Sequence, residues 1–389
     1  MDRMDEICEM DVFPWIEPLL SRLTEADLNL CAGKASLKDF TSSTSQNSSE
    51  TGSEECDIFT ICIPFAGATL QWRVLFDGLD CEELPDFLIS DQDGFDPDYE
   101  DIPHLKNWNS KESDSLLNVL KDLLKLYKKH HLKLLSEADP KLSKNVEEVL
   151  ASNEYPFLDA CVVKEEDRYG SPRYTFSVLV QIQLDSSQIP DICFKDSPPI
   201  DPGFLQPVLF IRSTANSGKI VPQLYMPPRM EHVLGGRNAM KLPHYSRQNT
   251  ILLEYIQSVH KNLQELVALL KNGHSKRREY VASLLCQFSS NILEYDAEDF
   301  RKISLMFSHE DFYFIVHVTL SRLFPQEQPK LIFQSAYHVT KRGELYQVTH
   351  SNYPYSPRWT GSEMVKRARA YILERIEAFK TGCMKNGII

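Results

Sequence analysis

The stretch that most constrains this chain is Phe312 to Ser335, FYFIVHVTLSRLFPQEQPKLIFQS. Phe312, Phe314, Val316 and Val318 alternate with Tyr313, Ile315, His317 and Thr319, which is the period of a strand with one buried face. Leu323-Phe324-Pro325 ends the run, because proline fixes φ and donates no ladder hydrogen bond, and Pro329 closes the turn. A second strand follows over Lys330 to Gln334, and Phe300 to Phe307 is a strand candidate upstream. Arg277 to Phe288 reads as an amphipathic helix before them. The predicted order is helix, antiparallel meander, proline-framed turn, strand, irregular segment and a closing helix, an α+β arrangement.

This order, with its aromatic-Pro-x-x-x-Pro turn and a strand ending in Phe333-Gln334-Ser335, resembles the ubiquitin-conjugating (E2) fold. In that alignment His338 falls where E2s carry the histidine of a His-Pro-Asn motif. Gly343 falls just before the catalytic cysteine, and Pro357-Arg358-Trp359 precedes the last helix. Two departures bear on function. Val339 and Thr340 stand where the oxyanion-supporting Pro and Asn would be, and the nucleophile slot falls near Leu345-Tyr346, with no cysteine between Cys286 and Cys383. A thioester carrier needs a thiolate. The resemblance therefore narrows to the ubiquitin E2 variants (UEVs), pseudo-E2s kept for binding, and implies no catalytic residue. His338, Gly343 and Tyr346 are then a vestigial active-site slot.

The same order recurs upstream. Ile58 to Pro64 and Thr69 to Phe76 form a hairpin around Ala66-Gly67-Ala68, and Pro85 leads into Phe87 to Ser90 as Pro329 leads into Lys330. Trp108 precedes the helix Ser113 to Leu135 as Trp359 precedes Gly361 to Lys380, which suggests an internal duplication. Thr41 to Glu55 has no apolar anchor and predicts a loop. Asp91 to Asp101 carries six acids and reads as a solvated loop or a contact for a basic partner. His130 and His131 read as surface histidines. Between them and the C-terminal meander, Tyr174 to Leu184, Val208 to Arg212 and Lys219 to Tyr225 predict strands, and Asn249 to Lys271 a helix. We expect tandem UEV/RWD-like domains at 1–138, 139–272 (degenerate) and 273–389. Met226 to Gly236 is expected as a loop whose Gly235-Gly236 makes a turn. His274 to Glu279 reads as a basic helix entry, either solvated or an import or docking signal.

Composition removes some function classes. A net charge of −13 disfavours nucleic acid, whose phosphates need clustered Lys and Arg. The nine cysteines lack paired spacing, which fits a reducing compartment. No apolar run reaches the ~20 residues of a membrane span, and the opening MDRMDEICEMD is acidic where a signal peptide would be basic. We therefore expect a cytoplasmic and nuclear protein, without nucleic acid or membrane partners.

Longer runs carry a closer resemblance. Ile63 to Gly67, Arg229 to Gly236, Ser275 to Tyr280, Leu293 to Glu298, Pro354 to Trp359 and Val365 to Tyr371 resemble the BRE family over nearly the whole chain, least over the first 55 residues. The resemblance implies a non-catalytic scaffold of BRISC and of the related BRCA-one A assembly, with roles in ubiquitin signalling, DNA damage response and apoptosis. There a JAMM/MPN zinc deubiquitinase subunit opens lysine-63-linked chains beside an Abraxas-type MPN pseudoenzyme. The BRE-type subunit bridges that pair to a von Willebrand A-like adaptor, and ubiquitin is a further candidate partner. No His-x-His or His-Glu-x-x-His occurs here, so neither metal nor cofactor is expected in this chain. By analogy with peptide-gripping UEVs, a groove is expected near Phe324, Pro325, Tyr337, Tyr353, Pro354, Arg358 and Trp359. The Tyr353 to Trp359 run serves either as a binding surface or as core. The alternative function is a UEV cofactor that steers an active E2 in chain synthesis.

Overall fold

Where the sequence alternates at period two, the chain is strand, and the strands assemble into three antiparallel sheets. The computed structural model describes residues 12–43, 55–89, 94–166, 172–187, 189–214, 220–236, 240–246 and 250–387. The chain divides into two compact units: residues 1–184, 200–227 and 241–260 form the first, and 185–199, 228–240 and 261–389 the second.

In the first unit, helix α1 (Glu17–Glu25) precedes the meander β1 (Ser36–Thr41), β2 (Ile58–Phe65), β3 (Ala68–Leu75) and β4 (Asp86–Leu88). After α2 (Pro103–Lys106) comes α3 (Ser115–Ala138), whose Leu116, Leu120, Leu123, Tyr127 and Leu135 recur at helical spacing and are buried. The first four of these share a core with Phe59, Ile61, Ile63, Phe65 and Trp72 of the sheet. Pro140 opens α4 (Pro140–Ala151), where Asp139 caps the helix by accepting the Leu142 N–H at 3.2 Å. A second sheet follows: β5 (Leu158–Glu166), β6 (Pro172–Gln181), β7 (Val208–Thr214) and β8 (Ile220–Tyr225).

His131 is not the surface residue the sequence suggests. It is fully buried beside Tyr127, and its Nδ1 accepts the Val162 N–H at 3.2 Å. It lies four residues from Tyr127 and from Leu135, so it falls on the apolar stripe of α3.

Helix α5 (Pro228–Leu234) occupies the stretch expected to be a loop; Gly235 and Gly236, both at positive φ, end it. Arg229 lies over the Phe194 ring at 4.5 Å. The two helices expected at 249–271 and 277–288 are one, α6 (Leu252–Gln287); its residues to His260 belong with the first unit and those from Lys261 with the second. Gly273 sits within it because a Cβ there would approach the Phe324 carbonyl oxygen to 2.9 Å.

The second unit carries the pure meander β9 (Ile292–Tyr295), β10 (Lys302–His309), β11 (Phe312–Thr319), β12 (Lys330–Val339) and β13 (Leu345–His350), then α7 (Gly361–Asn386). Phe312, Phe314, Val316 and Val318 face the core as their alternation requires, and Met364, Val365, Ala368, Ile372, Ile376 and Phe379 of α7 cover them. Of the segment expected to be irregular after Gln334, the first part is instead the rest of β12 and the whole of β13, and residues 351–360 are irregular as expected. Tyr346, Val348 and His350 alternate there, a second period-two signal shorter than the first. Thr360 caps α7 by accepting the Glu363 N–H at 3.3 Å, the first half of a Thr-x-x-Glu box.

The basic run 274–279 lies inside α6 rather than at a helix entry. Arg277 is buried, paired with Asp299, and donates through Nε to the Asp299 carbonyl at 2.9 Å; Lys276 pairs with Glu279 at 2.8 Å. Residues 44–54 of the Ser-rich tract and 91–93 of the acidic loop lie outside the described residues.

Candidate functional site

The residues singled out in the C-terminal sequence fall into two groups at opposite ends of β12. At ~3.3 Å per residue, Pro329 and Tyr337 are roughly 25 Å apart along that strand.

At the first end, the turn between β11 and β12 lacks the N–H groups of Pro325 and Pro329, and its carbonyls find partners on a later segment. Tyr355 Oη donates to the Pro325 carbonyl at 2.5 Å, Tyr353 Oη to the Pro329 carbonyl at 3.0 Å, and Gln328 Nε2 to the Tyr353 carbonyl at 2.8 Å. The Phe324–Pro325 peptide is cis. Phe324, 2 % exposed, packs on Tyr280 with ring centroids 5.4 Å apart. Arg277 Nη1 supports the turn by donating to the Arg322 carbonyl at 3.3 Å. Burial raises the Tyr280, Tyr353 and Tyr355 phenols well above their ordinary range, so all three stay protonated and Tyr353 and Tyr355 remain donors. Phe324 and Tyr353 are thus core, while Pro354 and Arg358 are exposed. Trp359 is half-buried, with the Arg367 guanidinium 5.6 Å from its ring centroid. The result is an aromatic clamp with proline, arginine and tryptophan presented outward.

At the other end, Tyr337 is half in solvent and packs on Phe312 and His338. His338 is buried; its Nδ1 lies 2.9 Å from Ser335 Oγ, which also accepts the His338 N–H at 3.1 Å. Gly343, at φ 79°, makes the tight turn into β13, where its N–H donates to the Thr340 carbonyl at 2.9 Å. Tyr346 lies on that strand against Phe379 of α7. Outside it, Thr340, Lys341, Arg342, Glu344, Lys385, Asn386 and Gly387 line an open cleft of about 590 Å³.

The sequence reading placed no thiol near this slot, yet Cys383 lies within it. This cysteine of α7 is fully buried, close enough to Ser335 to feel its hydroxyl. Burial pushes its thiol up to about 11, against a smaller lowering by Ser335. Near pH 7 such a thiol is almost wholly protonated, which makes it a poor nucleophile. Its position was legible as the continuation of the stripe Ile372, Ile376, Phe379, Cys383. What brings it to His338 is the packing of α7 on the sheet, which no local pattern encodes. Tyr280 was missed for the same reason, and Tyr355 was read only as part of the Tyr353 to Trp359 run.

Among the described residues, no group of three or more His, Cys, Asp or Glu is placed to hold a metal ion, and no helix is long and apolar enough to cross a membrane.

The comparisons with known proteins span most of the chain. It is 35 % identical over 333 residues to the Danio rerio protein named "BRISC and BRCA1-A complex member 2", covering 85 % of each chain. It is 34 % identical over 373 residues to the Branchiostoma floridae protein of the same name, covering 94 % of each. The profile of the family described as "Brain and reproductive organ-expressed protein (BRE)" matches residues 10–339. With that match across most of its length, the chain belongs to the BRE family.

Proposed function

We propose that this chain is a non-catalytic scaffold subunit of a BRISC-type deubiquitinase assembly. It bridges a JAMM/MPN zinc deubiquitinase and its Abraxas-type MPN pseudoenzyme partner to a von Willebrand A-like adaptor, in an assembly that opens lysine-63-linked ubiquitin chains. Its architecture is read as tandem UEV/RWD-like modules at 1–138, 139–272 and 273–389, working in cytoplasm and nucleus. Complex membership is carried by the names of the two relatives.

The observation that carries the non-catalytic part is the state of the slot. Leu345 and Tyr346 occupy β13 where the E2 resemblance puts the nucleophile, and the thiol in the slot, Cys383, is buried and held protonated. A carrier of ubiquitin needs that sulfur ionised and in solvent. For the adaptor we assign the outward residues of the aromatic clamp, Pro354, Arg358 and Trp359, with Phe324, Pro325 and Tyr353 fixing their geometry. Tyr337, at the far end of β12, belongs to a separate contact.

The test is to purify the tagged full chain from its native cells, identify what accompanies it, and assay lysine-63-linked chains with and without a zinc chelator. Co-purified MPN subunits with chelator-sensitive cleavage are expected. A solitary protein, or one that arrives with an E2 and builds chains, overturns the reading. Trp359→Ala is expected to weaken adaptor binding by about 2 kcal/mol; undiminished binding by the folded variant removes Trp359 from the contact.

A further inference from the structure

The β3–β4 connection, residues 76–85, presents a leucine to water on a backbone that is held in place. Leu79 is 87 % exposed at its tip, with Leu84 and Leu88 beside it in sequence at 39 % and 56 %. A single exposed leucine on a floppy loop needs no explanation. This one stands on a backbone that the fold holds in place.

The loop is fixed from below and from within. Trp15 Nε1 donates to the Gly78 carbonyl at 3.2 Å, and the Phe13 ring lies so close over Gly78 that a Cβ there would come within 2.2 Å of it. Asp77 Oδ1 accepts the Leu79 N–H and Asp80 Oδ1 accepts the Glu82 N–H, each at 2.9 Å. The Asp80 and Glu83 N–H groups donate to the Asp77 and Asp80 carbonyls at 3.3 Å. Ordering such a loop on binding costs little, because folding has already ordered it.

Its chemistry selects the occupant. Asp77, Asp80, Glu82, Glu83 and Asp86 surround the leucines, all five are exposed, and none forms an ion pair among the described residues. Five unpaired carboxylates repel nucleic acid and an anionic bilayer, and they attract a cationic protein surface. We propose that Leu79 is a docking knob, inserted into an apolar pocket rimmed by lysine and arginine on a partner protein, with the carboxylates meeting the rim. The leucine supplies the desolvated centre and the acids steer approach and orientation. This contact goes beyond the scaffold reading and stands without it.

The experiment places the photo-crosslinker p-benzoylphenylalanine at position 79 of the full chain in its native cells, with the exposed Glu137 position of α3 as control. The adduct is mapped by mass spectrometry. The expected adduct is a protein segment that is apolar and flanked by Lys or Arg. Its yield is expected to fall at least tenfold when Glu82→Lys, Glu83→Lys and Asp86→Lys are combined, which leaves the Asp77 and Asp80 hydrogen bonds of the loop in place, and to fall as salt is raised. Unchanged circular dichroism melting shows that the exposed substitutions leave the fold intact. The proposal is overturned by a yield no higher than at position 137, by an adduct on a segment without basic neighbours, on lipid or on nucleic acid, or by undiminished crosslinking of the charge-reversed chain. If position 79 gives no adduct while a chelator-sensitive deubiquitinase still co-purifies, the knob fails and the scaffold reading stands.

Discussion

Two connections of equal length, residues 76–85 and 320–329, each join neighbouring antiparallel strands, and each closes on a proline. The first meets N–H groups with its own aspartate side chains, takes one outside donor, Trp15 Nε1 at the Gly78 carbonyl, and leaves the leucines to solvent. The second has Pro325 and Pro329 in place of two donors, and its carbonyls wait for hydroxyls from residues 353 and 355. A turn that bonds internally needs no cover; a turn that borrows its partners becomes buried under them. The same strand order thus yields an exposed knob in one unit and a closed aromatic clamp in the other.

The sharpest way to break this contrast is to remove the support under the clamp. Arg277 is a buried charge shared between Asp299 and the Arg322 carbonyl, and Arg277→Ala leaves the part-buried Asp299 carboxylate with only the 3.8 Å contact to Arg301. We expect a loss of about 3–5 kcal/mol in denaturant unfolding. Hydrogen exchange should accelerate in β9 to β13 and stay unchanged in β1 to β4. Unchanged protection in β11 and β12 would mean that the turn stands without the arginine.

The converse change tests the knob. Gly78→Ala drives a methyl group into the Phe13 ring and should cost about 1–3 kcal/mol, with faster exchange at residues 76–85. Half-buried Phe13 can swing away, which keeps the effect below that of Arg277→Ala. A smaller change sharpens the clamp. Tyr353→Phe keeps the ring and removes the donor to the Pro329 carbonyl, for an expected loss of about 1 kcal/mol. The same substitution at Tyr99, an exposed tyrosine of the first unit, should be silent.

Most strands of both units were legible because alternation is local: Phe312 to Val318 state their buried face without reference to anything else, whereas β5, β9 and β13 were not read as strands. The proline turns were legible too, since proline announces its missing donor. Whether such a turn is open or covered was not. That depends on Tyr353 and Tyr355, which lie more than twenty residues beyond the turn and read equally well as surface or core. The same limit hid His131, whose neighbour on the stripe gave the only signal, and it split the candidate groove. Phe324 and Tyr337 look adjacent in a list of aromatics, yet Phe324 lies in the turn before the ten-residue β12 and Tyr337 near that strand's far end. The buried ends of α6 and α7 were visible as periodicity, but which sheet residues they meet was not.

The smallest expected effect concerns the thiol beneath the slot. Cys383 is held at about 11, above the value of 9.0 for a free thiol, because burial disfavours the thiolate. The neutral thiol is therefore the form the fold favours. Its contribution to stability is fully present below pH 9 and is lost as pH rises from 9 through 11. Tyr280, Tyr353 and Tyr355 shift in the same sense, so the comparison must be between the chain and Cys383→Ala, which should lose less stability over that window while starting lower. Alkylation gives an independent reading. At pH 8 iodoacetamide should modify exposed Cys286 of α6 at least a hundredfold faster than Cys383. Equal rates would mean that α7 opens at its C-terminal end and that the slot has a reachable sulfur. The clamp end of β12 would then be its closed end and the His338 end its mobile one.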